Sequence, residues 1–169
     1  MSMKDLQKAV VLIKDNFTKE ECVFSTPKSA QLIKLAEKKL AINFPLTYCD
    51  FIKKYGFGGP GGLIISGLRT DHPDEIKTTG VVWKNLNKRE QLKQPNHLIE
   101  IESVGDGTTY CLDTSQMNEE GECPVVAWPL GGYEETPVLE VVAEDFGKFF
   151  LDMVQRQIEY KKVRKGLAK

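Results

Sequence analysis

Carboxylates are the residues of this chain whose grouping could do chemistry. Glu100 and Glu102 stand two apart in an apolar, β-branched stretch, a spacing that would put both on one face of a strand. Glu119, Glu120 and Glu122 cluster around Gly121, Glu134 and Glu135 follow Gly131-Gly132, and Asp106 lies between Gly105 and Gly107. Acid–base catalysis needs two carboxyls in distinct environments, at least one of them withdrawn from water. Carboxylates in glycine-flanked loops are expected in solvent instead, so no catalytic residue is assigned and the chain is not expected to be an enzyme. Gathered together, these groups would form a surface of one sign suited to a basic protein. Tyr133, between Gly132 and Glu134, is the candidate aromatic anchor of that surface.

Other chemistries find no matching pattern. Gly56-Phe57-Gly58-Gly59-Pro60-Gly61 fits the spacing G-x-G-x-x-G. A dinucleotide loop, however, needs a strand before it and a helix N-terminus after it, so that backbone N–H groups face a pyrophosphate. Here a helix precedes, a strand is expected to follow, and Pro60 removes a donor. The glycines read as a structural turn. His72 and His97 are far apart, and neither neighbours a cysteine at ligand spacing, so no metal site is expected. Cys22, Cys49, Cys111 and Cys123 contain no C-x-x-C pair and read as core or half-buried thiols. Ser66, in Ile65-Ser66-Gly67, lacks the glycine pattern of a nucleophile elbow. No cofactor is expected.

The net charge of −1 hides an asymmetry: residues 98–152 hold 13 acidic residues and one basic residue, Lys148, and the rest of the chain carries the opposite excess. A field so directed steers partners. The acidic, aromatic-rich half has the wrong sign for nucleic acid, so no direct nucleic-acid contact is expected. The longest apolar run is too short to span a bilayer, and the N-terminus lacks the apolar stretch and cleavage site of a secretion signal. The expected compartment is the cytoplasm, with no membrane partner.

Periodicity supplies the elements that must position these groups. Leu6, Val10 and Ile13 predict a helix over 3–17; Leu32, Leu35, Ala36 and Leu40 predict another over 27–41, capped by Thr26 with Pro27 in its first turn. Pro45 starts a helix whose face is Tyr48, Phe51, Ile52 and Tyr55, and Gly56 ends it. Leu63-Ile64-Ile65 reads as a short strand, and Val81 to Leu92 as a helix stopped by Pro95. Leu98–Ile101, Tyr110–Leu112 and Pro124–Trp128 read as strands around a turn at Gly105-Asp106-Gly107, and Val138–Val142 reads either as a further strand or as an ordered approach to the last helix. Trp128 is expected to pack on the sheet. A last helix begins near Glu144, and its basic end, 161–169, is expected to fray. The fold class is α+β: one domain over 1–169, with an antiparallel meander sheet packed by helices.

These residues also carry a resemblance. Phe44-Pro45-Leu46-Thr47-Tyr48, followed by Phe51 to Gly59, resembles the N-terminal signature of the SUKH superfamily, of SMI/KNR type. Ile65-Ser66-Gly67, the Gly105–Asp113 hairpin, Glu122-Cys123-Pro124-Val125-Val126-Ala127-Trp128 and Phe146-Gly147-Lys148-Phe149-Phe150 are similar, in order, to its later segments over about 25–155. The turn lacks the Asn that commonly precedes Gly-Gly in the family. The resemblance implies a cytoplasmic bacterial immunity protein that binds and neutralises a cognate polymorphic toxin, expected to be a nuclease. Its C-terminal domain would meet an acidic surface of Glu100, Glu102, Asp106, Glu119, Glu120, Glu122, Tyr133, Glu134 and Glu135. The alternative is an intracellular scaffold or regulator related to cell-wall assembly control. Both readings are compatible with a homodimer.

Overall fold

The computed structural model describes residues 2–103, 108–129 and 139–167. Five α-helices lie among them: α1 (Ser2–Asn16), α2 (Ala30–Leu40), α3 (Leu46–Tyr55), α4 (Gly80–Leu92) and α5 (Phe146–Leu167). Strands β1 (Cys22–Phe24) and β2 (Gly58–Pro60) pair antiparallel. Strands β3 (Leu98–Ser103), β4 (Thr108–Asp113), β5 (Val125–Pro129) and β6 (Glu140–Ala143) form an antiparallel meander in the order β3-β4-β5-β6. This is an α+β fold.

The aromatic face of α3 is the centre of the core. Tyr48 and Phe51 are buried against Phe146 and Phe150 of α5, with ring centroids 5.1 to 5.6 Å apart in edge-on arrangements. Such geometry sets ring edges against the negative faces of their neighbours. The Tyr48 hydroxyl donates to the Ser66 carbonyl at 2.6 Å, which gives its buried polar end a partner. One face of the meander, with Ile99, Ile101, Leu112 and Val125, joins this core. The other carries a smaller cluster of Leu98, Cys111 and Val126, against which Trp128 packs.

Several elements differ from the sequence expectation. Helix α2 starts at Ala30 because Ser29, not Thr26, accepts the Leu32 N–H. Residues 26–28 are held outside the helix: the Lys28 N–H donates to the Lys53 carbonyl, and its buried ammonium bonds Thr26 and Asp71. The glycine segment contains β2 itself, whereas Leu63-Ile64-Ile65 contributes only a single bridge, Ile65 to Gly58. Gly58 has φ +111°, and a Cβ there would lie 1.7 Å from the Val23 carbonyl oxygen, so only glycine allows this approach to β1. The loop's N–H groups are taken up within the chain: Gly58 donates to the Ile65 carbonyl, Gly61 to the Glu21 carbonyl and Gly62 to the Gln157 side chain. The basic end remains helical through Leu167, since Lys161 donates to the Asn16 carbonyl and pairs with Glu21 at 2.7 Å.

A register shift between Glu100 and Glu102 changes the reading of that pair. Glu100 faces Cys111 across the ladder and Glu102 faces Tyr110, so Ile101 is the extra residue of a bulge. Neighbouring residues of β4 point to opposite sides of the sheet. Glu100 and Glu102 therefore lie on opposite faces rather than sharing one.

Candidate protein-interaction surface

Helix α3 explains one of the expected surface carboxylates. It begins after Pro45, which has no side-chain acceptor for the free N–H groups of a first turn. The segment around Gly121 supplies the acceptors from far along the chain. The Leu46 N–H donates to the Gly121 carbonyl at 3.0 Å. Glu122 accepts the Thr47 N–H at 3.0 Å and the Thr47 hydroxyl at 2.8 Å, across 75 residues of sequence. A negative side chain at a helix N-terminus is favourable. Ser2 joins the same network by donating to Thr47 at 3.1 Å and accepting the Gly147 N–H. Burial pushes the Glu122 carboxyl above its ordinary value, and the Thr47 hydrogen bonds partly offset that rise. With 4% exposure, Glu122 is a helix cap and not a docking residue.

Glu100 is corrected in the same way. It is 2% exposed and lies between Lys84 at 3.5 Å and Lys88 in close contact, both from α4. Two lysines of the basic N-terminal part thus neutralise it. Glu102 is half-buried; burial pushes its carboxyl up, the Lys84 charge opposes that, and Glu100 adds to it. Two further acidic residues of the 98–152 segment are also buried in local duties. Asp113 accepts from Ser115 and Gln116, and Asp145 accepts the Lys148 N–H at 2.8 Å in the first turn of α5. Lys148 in turn bonds Asp152 at 2.8 Å.

What remains in solvent is smaller than the sequence suggests. Glu119 and Glu120 are exposed, as are Glu140 at the start of β6 and Glu144 just after it. Asp106, Tyr133, Glu134 and Glu135 lie outside the described residues. The hydrogen-bond chain Glu122–Thr47–Ser2–Gly147 ties the residue after the 118–121 turn to the first turn of α5, which follows β6. Two exposed apolar side chains accompany the carboxylates: Leu46, 57% exposed and packed on Gly121, and Val141, 55% exposed on β6. Leu46, Glu119, Glu120, Glu140, Val141 and Glu144 are the candidate surface.

Sequence reasoning named Glu119 and Glu120 but not the others. Leu46 carried one usable signal: a residue in the first turn after a helix-starting proline often points outward, away from the stripe Tyr48-Phe51-Ile52. Glu140 and Val141 are an acidic and an apolar residue on an edge strand, a pattern too short to separate from a loop.

The chain's residues 5–155 match the family model SUKH_5, described as SMI1-KNR4 cell-wall. The chain belongs to the SUKH family. SUKH domains often act as immunity proteins and are generally non-catalytic, which fits a site made of surface carboxylates and apolar side chains. In this SUKH chain burial pushes the thiols of half-buried Cys49 and of buried Cys111 and Cys123 up to about 12, which disfavours the nucleophilic thiolate. No group of three or more His, Cys, Asp or Glu among the described residues could hold a metal ion. Among the described residues no helix is long and apolar enough to cross a membrane.

Proposed function

We propose that this SUKH chain is an immunity protein that binds and neutralises a cognate toxin, and that the toxin is a nuclease. One observation carries the reading. Exposed carboxylates Glu119, Glu120, Glu140 and Glu144 stand in a segment whose single cation, Lys148, is tied to Asp152. A nuclease handles a polyanion and so presents a basic cleft; an acidic surface occupies or shields it. Opposite fields raise encounter rates, up to about 10⁸–10⁹ M⁻¹s⁻¹ at low salt. Slow dissociation needs desolvated apolar contact as well, and Leu46 and Val141 are available for it.

Co-expression with a candidate toxin, sought among the neighbouring genes, tests the proposal: cells are expected to survive with the chain and die without it. Association measured from low to high ionic strength should slow steeply. A flat salt profile rejects electrostatic steering. Absence of protection rejects the immunity role, and the regulatory scaffold then takes its place.

A further inference from the structure

The two outer strands of the meander end in different ways. The edge of β3 is closed. The Asn85 side chain accepts the Glu100 N–H at 2.7 Å and donates to the Glu100 carbonyl at 3.2 Å, as a neighbouring strand would. Gln94 donates to the Leu98 carbonyl at 2.8 Å, and the Ser66 N–H to the Ile101 carbonyl at 2.7 Å. At β6 no such device exists among the described residues: its backbone bonds β5 on one side, and nothing bonds it on the other. Strand β6 is short, and Val142 is the extra residue of a bulge against β5, but it contains neither the lysine nor the proline that commonly blunts an exposed edge.

We propose that β6 is a docking edge, to which an extended segment of the partner bearing Lys or Arg adds as a further antiparallel or parallel strand. The inference rests on the toxin-binding reading for the identity of that partner. Unpaired N–H and C=O groups along an edge supply main-chain hydrogen bonds, and side chains on alternate residues supply selectivity. Val141 offers an exposed apolar contact, and Glu140 and Glu144 offer charge at the two ends of the strand. With Lys148 held by Asp152, no free cation of the 98–152 segment competes for them among the described residues. Charge also argues against a second copy of this chain as the occupant. Pairing β6 with itself would gather Glu140 and Glu144 of both copies into one patch, and like charges across a strand pair are destabilising.

The test uses the full chain, labelled with ¹⁵N, and a capped synthetic hexapeptide of alternating Lys and Val. Amide shifts centred on Glu140–Ala143 and on β5 are expected, with binding weakened about tenfold between low and high salt. A peptide of the same charge, N-methylated at alternate amides, should not bind, and the E140K/E144K chain should bind at least about tenfold more weakly. Equal binding of the N-methylated peptide, or shifts centred elsewhere, overturns strand addition. So does a concentration-dependent dimer whose protected amides are those of β6. Protection assays separate the two proposals. If the wild-type chain and E140K/E144K protect equally, the edge is not the docking site and the immunity reading stands. If the wild-type chain gives no protection while the peptide binds as described, the toxin is the wrong partner and the edge assignment stands.

Discussion

The β3 and β6 edges of one sheet use the same residue type for opposite ends. At β3 the carboxylate of Glu100 is buried between Lys84 and Lys88, and the Asn85 and Gln94 amides and the Ser66 N–H bond the outer backbone of Leu98, Glu100 and Ile101. At β6 the carboxylates of Glu140 and Glu144 stand in water beside an exposed Val141 and a backbone that bonds only β5 among the described residues. Negative charge in the sequence is therefore not negative potential at the surface. A carboxylate that caps a helix or pairs with lysine contributes to the fold; one left in solvent at an open edge is available to a partner.

The contrast can be broken first at β3. In K84M/K88M the Glu100 charge stays buried without a partner, and urea melts should show a loss of about 3–5 kcal/mol. A loss below about 1 kcal/mol would mean that Glu100 reaches water and that the edges differ less than stated. N85L comes next. It strips the Glu100 N–H and carbonyl of their partners and removes one of the two acceptors of the Gln94 amide, at a cost of about 2–4 kcal/mol, and opens β3 to self-association in sedimentation.

Glu122 sharpens the comparison by pH. Its folded-state carboxyl lies above the ordinary 4.5, so the folded chain holds this proton more tightly than the unfolded one. Its contribution to stability is greatest below that ordinary value and declines as pH rises through the folded value. Melts between pH 4 and 7 should show that decline, and E122Q should remove it. T47V, which deletes the hydroxyl donor to Glu122, should cost about 1 kcal/mol at neutral pH. The smallest effect belongs to β6: E140K and V141K should each change stability by no more than about 0.5 kcal/mol. A large loss there would show that this edge also serves the fold.

Much of the architecture was legible because it is local. The 3.6-residue stripe of Tyr48, Phe51 and Ile52 and the proline before it mark α3, and the β-branched runs separated by turns mark the meander. The extended register of β1 on β2 was not legible, since three residues against a glycine segment carry no period. The bulge at Ile101 was equally hidden, and with it the opposite facing of Glu100 and Glu102. Of the surface carboxylates, Glu119 and Glu120 were legible from their loop around Gly121. Glu100 and Glu122 were misread because their partners lie elsewhere in the chain.

By itself the amino-acid sequence determined the α+β class, the aromatic helix at the centre and the acidic bias of residues 98–152, because each follows from neighbours in the chain. Only the tertiary structure decided which acids meet solvent. That choice depends on Thr47, Lys84, Lys88 and Asn85 being brought to Glu122 and Glu100, and on nothing being brought to the outer side of β6 among the described residues. Burial and pairing are properties of contacts between distant segments, and composition does not record them.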